Sequence, residues 1–232
     1  MLNKQEIENN LIIAKENIAN AEKEAGIPIG STVLVAVTKK QPKEVLEICA
    51  EIGITDIGEN YVQEAVDKFE ELGWVENSPV KRHLIGHLQS NKAKQAVKYF
   101  DVIQSVDSLK LLTAINEHAK NENKIIDVML QVNISGEEQK SGLTPAEIEE
   151  VLPQIKGLKN IKLLGIMTIG SIDGQKNEFF LIKKLFNHLQ NIKNNDIIIE
   201  YISMGMSHDY AEAILNGATH VRIGTSLFGV RS

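Results

Sequence analysis

The chain holds a single cysteine, Cys49, so no intramolecular disulfide framework can form. Cys49 stands in EVLEICAEI, an apolar helical pattern, and reads as a small buried hydrophobe rather than a redox or nucleophilic thiol. Basic charge is not in excess. Against 31 Asp and Glu there are 25 Lys and Arg, and the net charge of -6 recommends neither nucleic acid nor an anionic membrane as a partner. That balance still leaves room for a local cationic pocket that takes a small phosphate. No apolar run approaches the roughly 20 residues that span a bilayer. The segment 1–26 mixes acidic and basic side chains and lacks the long apolar stretch of a signal peptide. The expected compartment is a reducing cytoplasm. Clusters of Cys, His and carboxylates at metal-ligand spacing are also lacking, so no metal is expected. His83 and His87 are four residues apart, but they straddle a strand end and Gly86 rather than one helix face.

What is there is a rhythm. Residues 3–25 carry apolar side chains at three- and four-residue intervals and predict a helix, stopped by Gly26 and Pro28. Strand-like runs follow at VLVAVT (33–38), TDIG (55–58), KRHLIG (81–86), DVIQSV (101–106), KIIDVMLQVN (124–133), IKLLGIMTIG (161–170), IIIEYISMG (197–205) and THVRIG (219–224). Helical patterns separate them, one opened by TPAE, a capping box with proline at its first position. Regular strand–helix alternation implies parallel strands joined by crossovers. Several strands are apolar at successive positions, as strands covered on both faces must be. Eight such units predict a single-domain α/β (β/α)8 barrel over residues 1–232 with an extra N-terminal helix. An open doubly wound sheet is the alternative, but no Gly-rich dinucleotide turn follows the first strand, and no linker or low-complexity stretch marks a second domain.

In such barrels the chemistry sits where strands end and βα loops begin. Those junctions are poor in paired carboxylates and rich in Gly, Ser, Thr and Asn. SMGMS ends the seventh strand and offers Ser203, Gly205 and Ser207; RIGT ends the eighth with Arg222, Gly224 and Thr225. Either loop alone is better explained by turn glycines and capping serines. Together, after strands seven and eight, they point to a phosphate site. Strand one lies beside strand eight in a closed barrel, and it ends in Thr38-Lys39-Lys40. A lysine there could form a Schiff base with an aldehyde whose phosphate is anchored next door, which is the requirement of pyridoxal 5'-phosphate. Arg222 would then meet the pyridine nitrogen.

The segments VAVTK, IGENYVQE, HLIGHLQSNK, VNISGEEQKSGL, GIMTIG and SMGMSHDYAEAILNGATHVRIGTSLFG resemble, in this order, the pyridoxal phosphate homeostasis proteins, a family related to the N-terminal barrel of alanine racemase. The resemblance runs from about residue 7 to residue 229. It implies that Lys39 carries the Schiff base, with Thr38 in place of the serine usual there. It also implies that Arg222 faces the ring nitrogen, that Ser203, Gly205, Gly224 and Thr225 hold the phosphate, and that Asn60 lies beside the cofactor. Met204 and Met206 could pack nearby. Lys40, the next residue along the strand, should point the other way.

The implied role is a carrier that buffers intracellular pyridoxal phosphate and passes it to apo-forms of dependent enzymes, without robust catalysis. A guanidinium opposite the ring nitrogen has no proton to share and makes a poor electron sink. The racemases of this fold bring a tyrosine from a second domain. None of Tyr61, Tyr99, Tyr201 and Tyr210 sits in a matching motif, and no such domain is expected. A monomer is expected for the same reason. The competing reading is a small pyridoxal-phosphate-dependent amino-acid racemase. Lys140, between Gly136 and Gly142, is a candidate second amine for cofactor release, although a solvated loop lysine is the better explanation.

Overall fold

The computed structural model describes residues 2–134, 141–170, 177–192 and 199–229. Lys140 lies outside them. Eight parallel strands close into a barrel in chain order. They are β1 (Val33–Val37), β2 (Asp56–Glu59), β3 (Lys81–Leu84), β4 (Val102–Val106), β5 (Ile126–Val132), β6 (Ile161–Thr168), β7 (Tyr201–Met206) and β8 (His220–Ile223). The helices packed outside are α1 (Lys4–Ala25), α2 (Lys43–Glu51), α3 (Val62–Glu71), α4 (Ala93–Tyr99), α5 (Leu109–Asn121), α6 (Pro145–Ile155), α7 (Glu178–Asn191), α8 (Tyr210–Leu215) and α9 (Thr225–Phe228).

Local chemistry explains the boundaries. The side chain of Asn3 accepts from the Glu6 amide while Glu6 reaches back to the Asn3 amide, and Gly26 ends α1 at a φ of 70°. The same reciprocal cap, Thr144 with Glu147, opens α6. Ile7, Leu11, Ala14, Ile18 and Ala21 form the buried stripe of α1, which lies against α8 and α9 beside the β1–β8 seam. Glu22, fully buried, accepts from the Gly30 and Thr32 amides, both at 2.7 Å, and so ties α1 to the turn entering β1.

The helix after β2 starts only at Val62, because Glu59 extends the strand and pairs with Leu84. The helix after β7 starts at Tyr210. The segment after β8 contains the short helix α9.

The main apolar core fills the layer between strands and helices. A separate cluster of Val102, Met129, Leu164 and Met167, backed by Tyr201, belongs to strands β4 to β7. Gly165 sits where β6 pairs with Tyr201 of β7, and a Cβ there would lie 1.9 Å from the Tyr201 carbonyl oxygen. A methyl group cannot be accommodated without parting that ladder. Gly165→Ala is expected to lower stability by about 3 kcal/mol or more in urea unfolding, as overpacking against backbone does at its upper end. A loss below about 1 kcal/mol would contradict this account.

Candidate functional site at the C-terminal mouth of the barrel

The strand ends enclose a cavity of about 230 Å³. Its wall takes Val37 and Lys39 from the end of β1, Asn60 after β2, Ile85 after β3 and Ile169 after β6. Met206, Ser207 and His208 close it from β7, and Arg222, Gly224 and Thr225 from β8. Closure of the barrel is what brings the first and last strands together, through the pairing of Val35 with Arg222.

Five of the seven residues expected at a cofactor site, namely Lys39, Asn60, Arg222, Gly224 and Thr225, line this one cavity; Ser203 and Gly205 are not part of its wall. Ser203 is fully buried beside it, its hydroxyl accepting from Arg222 Nη1 at 2.7 Å and donating to Gln104 Oε1 at 2.6 Å. At Gly205 a Cβ would lie 2.5 Å from Ala213 Cβ, so this glycine serves the close approach of α8 to β7. Its φ of 90° and the register shift between β7 and β8 carry Ser207 onto the cavity wall. The Ser207 hydroxyl accepts from the amides of Gly224 and Ser226, each at 3.2 Å. Met206 lines the cavity, whereas Met204 is part of the outer core.

Lys39 lies in the turn after β1, two residues beyond Val37, and like Val37 lines the cavity. Thr38 turns outward and donates to Glu59, and Lys39, half-buried, reaches the cavity. Lys40 is exposed, in agreement with its expected opposite direction. Asn60 is held at the wall by Gly86: a Cβ on that residue would lie 2.3 Å from the Asn60 carbonyl oxygen. Asn60 Oδ1 is buried and has no hydrogen-bond partner among the described residues.

Arg222 is buried beneath the mouth. Burial lowers its pKa to about 10, partly offset by the charge of Asp209, so it stays a cation near neutral pH. Its Nη2 donates to the Thr168 carbonyl at 2.7 Å. From Ser203 the bonding continues through Gln104, whose Nε2 meets His83 Nδ1 at 2.9 Å, to His83 Nε2 and Asp56 Oδ1 at 2.8 Å. With Gln104 Oε1 occupied by the Ser203 hydroxyl, its amide donates to His83, and His83 in turn donates to Asp56. One unbroken donor-to-acceptor chain thus links the cation under the mouth to a carboxylate on β2. His87 belongs to a different place: it is exposed and pairs with Asp107 at 3.0 Å.

The family described as "Alanine racemase, N-terminal domain" matches residues 10–232, which places this barrel in the alanine racemase N-terminal class. The pyridoxal phosphate homeostasis protein of Pasteurella multocida (strain Pm70) is 38% identical over 229 residues, 97% of each chain. The chain belongs to the pyridoxal phosphate homeostasis protein family. PipY of Synechococcus elongatus PCC7942, solved with PLP bound, is 33% identical with a TM-score of 0.81, over 93% of this chain and 99% of that one. Alanine racemase of Clostridium difficile 630 shares the fold at 17% identity and a TM-score of 0.69, over 96% of this chain and 56% of that one.

Sequence reasoning did not find Gln104, His83 and Asp56 as a network, because their side chains meet only once β2, β3 and β4 pair in register. It named Ser207 as a hydroxyl of the loop but preferred Ser203, because a bulge that reorients a strand end leaves no periodic trace.

The interior charges carry a pH dependence. His220, buried between Tyr201 and His83, has its pKa lowered to about 4, first by burial and then by His83, against a partial offset from Asp56. An unfolded histidine near 6.5 binds the proton that the folded one refuses. Its contribution to stability is therefore complete above pH 6.5 and lost as pH falls from 6.5 toward 4. The expected loss over that window is roughly 3 kcal/mol in chemical denaturation. His220→Gln is expected to flatten it; an unchanged slope in that variant would assign the loss elsewhere.

Proposed function

We propose that the chain binds pyridoxal phosphate at this mouth as a reversible covalent adduct of Lys39, and serves as a carrier and buffer rather than a catalyst. The observation that carries the reading is that Lys39, Arg222, Gly224 and Thr225 share one cavity, with the Ser207 hydroxyl on its wall receiving the amides of Gly224 and Ser226. Pyridoxal phosphate supplies an aldehyde that condenses reversibly with a primary amine. The residues present fit it. Val37, Ile85 and Ile169 offer apolar walls for a flat ring. Asn60 Oδ1 is an acceptor in need of a donor, which a ring hydroxyl provides. The Gly224 and Ser226 amides, 3.2 Å from the Ser207 hydroxyl, converge on one oxygen and can do so on an anionic one, with Ser207 and Thr225 adding hydroxyls.

Arg222 argues for holding over turnover. A guanidinium donates hydrogen bonds but does not give up its proton, so it supports a ring nitrogen without protonating it. None of the four tyrosines lines the cavity to act as an acid–base partner on the substrate side. The reading extends to a cytoplasmic monomer that yields the cofactor to apo-enzymes.

Borohydride reduction of protein incubated with pyridoxal phosphate, followed by peptide mapping, is expected to place the label on Lys39 and to lose it there in Lys39→Ala. Label scattered over surface lysines would refute the site. In deuterium oxide, exchange at the α-carbon of free amino acids is expected to match cofactor alone; faster exchange that depends on Lys39 would replace the carrier with a racemase-type enzyme.

A further inference from the structure

Behind the strand end that carries Lys39 lies a charged group of three, two of its members buried and the third partly exposed, that does not line the cavity. Lys68 of α3, its side chain 9% exposed, donates to Glu59 Oε1 at 2.8 Å, to Glu64 Oε1 at 2.7 Å and to the Thr38 carbonyl at 3.0 Å. Glu59, at the end of β2, is fully buried and also accepts from the Thr38 hydroxyl at 2.8 Å. Glu64 Oε1 accepts the Lys40 amide as well. The residues on both sides of Lys39 are therefore held by two carboxylates and the ammonium they share: Thr38 by its hydroxyl to Glu59 and its carbonyl to Lys68, Lys40 by its N–H to Glu64.

The backbone says why holding is needed. Lys40 has a φ of 59°, in the left-handed region, and only Asn123 joins it there among the described non-glycine residues. A side-chain-bearing residue enters that region at a cost, and it stays there when surrounding bonds determine it. Burying the Glu59 carboxylate and the Lys68 ammonium is itself unfavourable unless their geometry is good. A plain strand end needs neither the strain nor the charges. Relaxation of Lys40 toward ordinary extended backbone would redirect the chain at the residue that must face the cavity.

We infer that Glu59, Lys68 and Glu64 are positioning residues for the Lys39 amine, locking the strained turn at Lys40 so that Lys39 is presented to an aldehyde in the cavity. This rests on the pyridoxal phosphate reading and deepens it: the clamp governs bond formation by Lys39, not recognition of the ring and phosphate.

The test separates those two quantities. Non-covalent affinity is measured with pyridoxine phosphate, which lacks the aldehyde. Bond formation is measured with pyridoxal phosphate, by the growth of imine absorbance and by borohydride mapping. Glu64→Gln alters the least buried member of the group, and the double variant Glu59→Gln with Lys68→Met removes a charge of each sign together, so that no unpaired Glu59–Lys68 charge is left buried. Lys68→Met alone leaves Glu59 unpaired and serves only as a folding control, by near-UV circular dichroism. In folded variants, affinity for pyridoxine phosphate is expected to stay within about 2-fold of wild type while the rate of bond formation at Lys39 falls about 10-fold. Part of the label is expected to move to Lys40. Equal losses in both measurements, or wild-type rates at Lys39, would overturn the clamp and leave the cofactor reading standing. A wild-type protein that takes no label at Lys39 would overturn the cofactor reading and the clamp with it.

Discussion

Closure of the sheet between β1 and β8 is the constraint on which the site depends. Lys39 and Arg222 lie near opposite ends of the chain, and the pairing of Val35 with Arg222 makes them neighbours. An open sheet with the same strands would leave the amine on one edge and the guanidinium on the other. Parallel pairing of every strand also puts all the C-terminal ends on one face, which is why loops after β1, β2, β3, β6, β7 and β8 can meet around a single cavity.

The inside of the barrel is not a uniform apolar plug. One side is filled by Val102, Met129, Leu164 and Met167. Across the rest runs the chain from Arg222 through Ser203, Gln104 and His83 to Asp56. A buried cation without partners would be costly, and a partly satisfied network is worse than an apolar one. Here each neutral member donates in one direction and accepts from the other, so the charges at the two ends are connected without a direct ion pair. Arg222 is thereby tied to Ser203 and Thr168 at the wall of the cavity. Asp209 supports the same cation from the loop after β7, while its carboxylate accepts the Met206 amide at 2.6 Å.

Much of this was legible residue by residue. The alternation of strands and helices, the caps at Asn3 and Thr144, and the buried stripe of α1 all follow from short-range pattern, because they depend on neighbours within a few residues. Lys39 was legible because the period of two along β1 distinguishes it from Lys40. Arg222, Gly224 and Thr225 were legible because barrel topology assigns loops seven and eight to one place. Ser203 and Gly205 are instructive in the opposite sense. Counting along SMGMS treats the stretch as regular strand, but the left-handed turn at Gly205 and the shifted register hand the cavity to Ser207. Lys68 carries no mark in the sequence that sets it apart from other helix lysines. Its burial between two carboxylates comes from the packing of α3 on the ends of β1 and β2, which no local pattern encodes.

By itself the sequence determined the class of fold, the family and the lysine that lines the cavity, since each rests on periodicity, on the order of motifs, or on residues adjacent in the chain. Tertiary structure alone decided which hydroxyl faces the cavity, how Arg222 is satisfied and what restrains the turn at Lys40. These depend on side chains from distant strands meeting at distances near 3 Å. Contacts of that range are set by barrel closure and register, and a one-dimensional pattern has no coordinate for either.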